Sequence, residues 1–248
     1  MELVSSLVRI FRSGDYPRTE QLCRTSLQTS ADDAEVWSLL GAALQKQGQR
    51  AEAVAAFEQA IHLCPHHTEA SMGLGLLLAE QGRLEEAIAL LQRAIQAQPR
   101  SPRAQHNLGV ALAQMGRHEE AVHALEEALR LRPDYVDACF NLGNVLRDLG
   151  RCDEALERFR QSVRLRPDHA SSCNNLGLAL TEAGFPEEAV EPLRRAVQLQ
   201  PQMKEAYNNL GLAYADLGRF VEAEACYQEA LRLDPGYAAA HTNLGSAC

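Results

Sequence analysis

The sequence repeats itself every 34 residues, and no other property constrains its fold as tightly. Pro65, Pro99, Pro133, Pro167, Pro201 and Pro235 stand at that interval. So do Gly41, Gly75, Gly109, Gly143, Gly177, Gly211 and Gly245, and a second glycine series runs through Gly14, Gly48, Gly82, Gly116, Gly150, Gly184 and Gly218. A fixed period of roughly 20–50 residues marks a stacked array, in which each unit buries its apolar face only against its neighbours.

Each series has its own physical reason. The proline follows an apolar-periodic stretch such as Ala121-Val122-Leu125-Ala128-Leu129, where its ring blocks continuation of a helix. Asp134 and Asp168, directly after it, are expected to cap the helix that follows. The glycine in Leu149-Gly150-Arg151 falls where a first helix should end, a position that favours positive φ. The glycine of Asn-Leu-Gly lies inside a helix and costs about 1 kcal/mol relative to alanine. The expected compensation is close approach of the second helix through Ala53, Ala87, Ala121, Ala155, Ala189 and Ala223, small against small. Leu40, Leu74, Leu108, Leu142, Leu176 and Leu210 would fill the surrounding space. Such packing predicts antiparallel helical hairpins.

The order Trp37, Leu40, Gly41, Leu44, Ala53, Phe57, Ala60, Pro65 resembles the tetratricopeptide repeat signature. The resemblance continues through Leu108, Gly109, Leu112, Ala121, Leu125, Ala128, Pro133 and through Tyr207, Leu210, Gly211, Tyr214, Ala223, Tyr227, Ala230, Pro235. It implies an all-α fold, a right-handed superhelical α-solenoid of antiparallel helix pairs. Six full units are expected at 34–67, 68–101, 102–135, 136–169, 170–203 and 204–237. Residues 1–33 read as a degenerate capping repeat, in which Gly14 keeps the turn but Leu7, Thr19, Cys23 and Ala31 replace the usual Gly, Ala, aromatic and Pro. Residues 238–248 read as the first helix of a truncated seventh repeat. From Gly236 onward the sequence has no Asp, Glu, Lys or Arg, whereas a terminal cap shows water a polar face. A fragment of a longer protein, or an end covered by a partner, is therefore expected.

Composition narrows the function. Apolar residues make up 46% and aromatics 5% of the chain, so the core must be built mainly from Ala, Leu and Val between close-packed helices. A net charge of -9 offers no basic footprint for a phosphate backbone, and nucleic acid is not an expected partner. No apolar run reaches the roughly 18–20 residues that span a bilayer, and no membrane role is expected. The first ten residues lack the layout of a secretory signal, so a cytoplasmic location is expected. The seven cysteines form no Cys-x-x-Cys pair and suit a reducing compartment.

The resemblance places first helices on the concave side of the array. With the Leu and Gly of Asn-Leu-Gly packed inward, residues three and four positions away line the groove. One such position holds Asn107, Asn141, Asn175, Asn209 and Asn243, a ladder that stops at Leu39 and Gly73. An amide carries both donor and acceptor and can pair with the backbone of an extended peptide whatever its side chains. The competing role is a bond within the helix or to the neighbouring repeat. Asp148, Glu182 and Asp216 are inferred to line the same groove, with Glu35, Glu69, Glu80, Asp137 and Glu205, against Lys46, Arg103 and Arg147. The acidic balance favours a neutral or basic peptide, although charged helix faces are also simply solvated. Basic residues do not cluster in consecutive repeats, so a clamp for a C-terminal carboxylate is not expected.

An unbroken asparagine ladder is similar to the substrate-gripping superhelix of O-linked N-acetylglucosamine transferases and to parts of kinesin light chains. The first likeness implies the substrate-recognition arm of a glycosyltransferase, whose catalytic domain is not within these residues. A third reading is a structural module that self-associates end to end through its C-terminal helix. No chemistry of its own is expected. Cys139 and Cys173 stand at the place of Trp37, Cys226 is beside Tyr227, and Cys64 precedes Pro65, all as packing groups. His66 and His67 are adjacent and point apart, and His118 and His123 lack the i, i+4 spacing of a helical metal pair. Neither catalytic residues, metal nor cofactor is expected, and the leading function is that of a protein- or peptide-binding scaffold.

Overall fold

The computed structural model describes residues 2–247, so that Cys248, the last residue of the expected seventh-repeat helix, lies outside them. Among the described residues there are fifteen α-helices and no strand. They fall into two compact units, Met1–Pro133 and Asp134–Cys248. Unit one contains α1 (Glu2–Arg12), α2 (Tyr16–Thr29), α3 (Ala34–Lys46), α4 (Arg50–Leu63), α5 (Thr68–Glu80), α6 (Leu84–Ala97), α7 (Pro102–Gln114) and α8 (His118–Leu131). Unit two contains α9 (Val136–Asp148), α10 (Cys152–Leu165), α11 (Ala170–Glu182), α12 (Pro186–Leu199), α13 (Lys204–Asp216), α14 (Phe220–Leu233) and α15 (Ala238–Ala247).

Within each unit the architecture is an all-α solenoid of tetratricopeptide type. In unit one α3 packs on α4, α5 on α6 and α7 on α8, and α4 and α6 bridge to the next pair. In unit two α9 packs on α10, α11 on α12 and α13 on α14, with α10, α12 and α14 as the bridges. First helices of successive pairs also meet, α3 with α5 and α5 with α7 in unit one, α11 with α13 and α13 with α15 in unit two.

The two glycine series do different work. Gly150 has φ +74°, and nothing lies within 4 Å of where its Cβ would be. Its amide donates to the Arg147 carbonyl at 2.9 Å, and that of Arg151 to Leu146 at 2.9 Å, which satisfies two carbonyls left over at the end of α9. Gly143 has an ordinary helical backbone but no room. A Cβ there would lie 2.6 Å from the Phe159 ring. At Gly177 it would lie 2.3 Å from Leu193, and at Gly211 2.5 Å from Tyr227.

The expected small-against-small contact therefore holds only in part: at Gly75 and Gly109 a Cβ would lie 3.4 and 3.2 Å from the carbonyls of Ala87 and Ala121, but closer still, at 3.1 and 2.6 Å, to Leu91 and Leu125. Ala155, Ala189 and Ala223 are fully buried or nearly so, yet the glycine notch receives the large residue four positions later. Helical side chains lean back toward the N-terminus, so the spot level with the alanine is covered from one turn further on. The capping expectation is corrected as well. Asp134 and Asp168 stand one residue too early, and α9 and α11 begin after Tyr135 and His169, neither of which makes a side-chain cap bond to the helix backbone. Side-chain caps occur instead in unit one, where Asp33 accepts from Glu35 and Val36, His67 from Ala70, and Ser101 from Ala104.

Candidate functional site

In unit two the ladder residues Asn141, Asn175, Asn209 and Asn243 come from the first helices α9, α11, α13 and α15. Asn141, Asn175 and Asn243 are half-buried, while Asn209 is only 8% exposed. They do not stand alone. Asn243 Nδ2 donates to Asn208 Oδ1 at 3.0 Å, Asn209 Nδ2 to Asn174 Oδ1 at 3.0 Å, and Asn175 Nδ2 to Asn144 Oδ1 at 2.7 Å. Asn174 Nδ2 donates in turn to Asn175 Oδ1 at 3.1 Å, and Asn208 Nδ2 to Asn209 Oδ1 at 3.5 Å, the longest of the set. The result is one directed chain of amides, Asn243 to Asn208 to Asn209 to Asn174 to Asn175 to Asn144. The bond to the neighbouring repeat that competes with a ligand role is thus present. It does not exhaust the groups, because an amide has two N–H donors and two lone pairs, and Asn175 and Asn209 each spend one of each here.

Asn144, Asn174 and Asn208 escape a reading that follows only one residue per repeat. Their signal lies in the doublets Asn174-Asn175 and Asn208-Asn209 and in Asn144 directly after Gly143.

Unit one lacks this second row. Asn107 on α7 is 6% exposed. Its Oδ1 lies 3.2 Å from His106 Nδ1, and its Nδ2 has no hydrogen-bond partner. The preceding first helix, α5, carries Met72 and Leu76 where α11 carries Asn174 and Leu178, so it offers no amide. Gly73 itself is crowded, since a Cβ there would lie 2.4 Å from the Phe57 ring, which accounts for the break in the ladder.

Asp148, Glu182 and Asp216 are the last residues of α9, α11 and α13, and all three are exposed. No ion pair to any of them is formed among the described residues. A carboxylate in the last turn meets the negative end of the helix dipole, at a cost of roughly 0.3–1 kcal/mol, so helix stability does not explain the row. The remaining acidic positions are mostly answered. Glu69 pairs with Arg103 at 2.7 Å, Glu80 with Arg50 at 3.1 Å, Glu35 lies 3.5 Å from His67, and Asp137 lies 3.6 Å from Arg166. Glu205 and Lys46 are exposed and Arg147 is half-buried.

Four of the cysteines, Cys23, Cys139, Cys173 and Cys226, are held protonated by burial, whereas Cys64 and Cys152 are exposed. Burial pushes the Cys23 thiol up to about 12 and, against the opposing pull of Arg158, the Cys139 thiol up to about 11. Burial also raises Cys173, and raises Cys226 to about 11. A thiol held protonated is neither nucleophile nor metal ligand. No group of three His, Cys, Asp or Glu among the described residues could hold a metal ion, and no helix among them is long and apolar enough to cross a membrane. A cleft of about 610 Å³ in unit one, over Trp37, Leu40 and Leu44, contains none of the ladder residues.

Residues 13–244 match the family described as the cilia and flagella-associated protein 70 C-terminal domain. The chain belongs to that family. The matched span takes in all five ladder asparagines, the second amide row and the three open carboxylates. No curated protein matches the chain. Among solved structures it is similar to YrrB, described as a TPR protein with an unusual peptide-binding site, with a TM-score of 0.65 and 23% identity over 76% of this chain and 97% of that one. It is similar to a chain of the APC/C hetero-tetramer Cut9-Hcn1, with a TM-score of 0.81 and 19% identity over 97% of this chain and 48% of that one. The chain thus spans about half the length of that subunit. PilF of Pseudomonas aeruginosa gives a TM-score of 0.78 and 20% identity, over 86% of this chain and 97% of its own. These likenesses carry the fold, and arrays of this fold serve in general as extended protein-binding surfaces.

Proposed function

We propose that the chain is a protein-interaction scaffold that holds an extended polypeptide along the first helices of unit two. Asn141, Asn175, Asn209 and Asn243 bond its backbone, and Asp148, Glu182 and Asp216 favour a neutral to basic segment. The observation that carries this reading is the unspent capacity of Asn175 and Asn209, one N–H and one lone pair each after the inter-repeat bonds are made. Spacing supports it. Packed helix axes lie roughly 8–10 Å apart and an extended chain rises about 3.3 Å per residue, so one ladder amide meets about every third peptide unit. YrrB, on the same fold, is described with a peptide-binding site.

The test is binding of wild type and an Asn141→Ala, Asn175→Ala, Asn209→Ala variant to a diverse peptide array. It is run at low and moderate salt, where attraction by exposed carboxylates is screened. At about 0.5–1.5 kcal/mol net per hydrogen bond, the triple change should weaken capture by roughly ten- to two-thousandfold, with helical content retained by circular dichroism. Equal affinity would sink the ladder.

A further inference from the structure

We infer that Asn144, Asn174 and Asn208 are positioning residues, each fixing the amide of the following repeat's ladder asparagine in the orientation that meets a bound chain. This rests on the reading of the ladder as the peptide-binding set. An asparagine amide turns on a broad, nearly two-fold χ2 torsion, so on a helix face it can present either its oxygen or its nitrogen. A row that must offer the same group at every step needs that torsion fixed. Asn175 is held at both ends, donating to Asn144 and accepting from Asn174. Asn209 is held likewise, donating to Asn174 and accepting from Asn208. What each has left to offer then points one way.

The acceptor is supplied from two different places. On α9 it is Asn144, one residue after Gly143, and the residue before the ladder asparagine is Phe140. On α11 and α13 the place after the glycine holds Leu178 and Leu212, and the acceptor is the residue before the ladder asparagine, Asn174 or Asn208. All three inter-repeat steps within unit two therefore have one amide acceptor, from whichever position is free of an apolar residue. Repeat cohesion alone does not call for this, because successive repeats are already packed through the buried cluster of Cys173, Ala196 and Ala206 with Val163, Val197 and Met203. Asn174 and Asn208, 8% and 6% exposed, are about as buried as the ladder's own Asn209 at 8%, and each is bonded to the ladder asparagine beside it and to that of the following repeat. Unit one supplies the contrast, for α5 offers Met72 and Leu76 and the Asn107 Nδ2 is left without a partner.

The two acceptor positions make the inference testable by moving the amide. In the full chain, Asn209→Ala, Asn174→Ala and the double variant Asn174→Ala, Leu178→Asn are compared for capture of an array of extended neutral and lysine-containing peptides. Urea unfolding of each variant serves as the stability readout. Asn209→Ala and Asn174→Ala should each weaken capture by roughly 2–13-fold, the equivalent of one net hydrogen bond. The double variant, which places its amide as Asn144 does on α9, should return to within about twofold of wild type on the same reasoning. Weakening by Asn209→Ala without weakening by Asn174→Ala would overturn the positioning role and leave the ladder standing. No effect of Asn209→Ala would remove the ladder reading and this inference with it. Loss by Asn174→Ala that Leu178→Asn does not restore would make Asn174 a packing residue and overturn the inference. If Asn174→Ala does not fold, Asn208→Ala with and without Leu212→Asn, read against Asn243→Ala, poses the same question one repeat later.

Discussion

Gly143 and Gly150 are seven residues apart, and both recur every 34 residues, yet replacing them fails for unlike reasons. Gly143→Ala gains about 1 kcal/mol of helix propensity but drives a methyl to 2.6 Å from the Phe159 ring, and overpacking of this kind costs about 1–3 kcal/mol. Gly150→Ala meets no atom but forces alanine to φ +74°, a strain of roughly 1–2 kcal/mol. Both variants should lower the urea midpoint, and in a Phe159→Ala background, where the ring that meets the added methyl is gone, part of the Gly143→Ala loss should be recovered and none of the Gly150→Ala loss. Recovery of both, or of neither, would refute this division of roles. The places of the glycines were legible in the sequence because a period exposes them. The partner of Gly143 was not, since it depends on the backward lean of helical side chains and not on which residue lies level with the notch.

The helix pair is the element that repeats, and its ends were legible where one residue decides the backbone, as Gly150 does. They were less so at the start of α9 and α11, where Pro-Asp suggested a cap that the chain passes by before Val136 and Ala170. The second amide row was illegible for a related reason. Which residue of one first helix lies beside which residue of the next is a register between helices, and period alone does not give it. The elements also predict a pH response. Cys23 in α2 and Cys139 in α9 are fully buried, and burial raises their thiols from an ordinary 9.0 to about 12 and about 11. Above about pH 9 the unfolded chain releases these protons while the folded chain still holds them, so stability is intact below that pH and falls as pH rises toward 11–12. Each thiol contributes a slope of about 1.4 kcal/mol per pH unit across its window. Urea midpoints should hold steady from neutral pH to about 8.5 and then drop, and Cys23→Ala should make the drop shallower. A midpoint that stays constant to pH 11 would contradict this.

At the scale of the whole chain, the 34-residue period made fold and repeat type readable from end to end. The candidate site was readable in part. The ladder asparagines share one helical register, so spacing alone collects Asn141, Asn175, Asn209 and Asn243. What their amides are bonded to required the packing of successive first helices within unit two. The acidic excess of the sequence, 33 against 24, likewise did not say which carboxylates are open. Glu69 and Glu80 are paired within unit one, whereas Asp148, Glu182 and Asp216 enter no ion pair among the described residues of unit two. As proposed, the ladder grips main chain and not side chains. Its most direct test uses one captured peptide in three forms: native, with its side chains scrambled at constant composition, and N-methylated at about every third backbone amide. Binding should survive scrambling and be lost on N-methylation, which removes the donors that the ladder oxygens accept. Binding that survives N-methylation but is lost on scrambling would contradict the account.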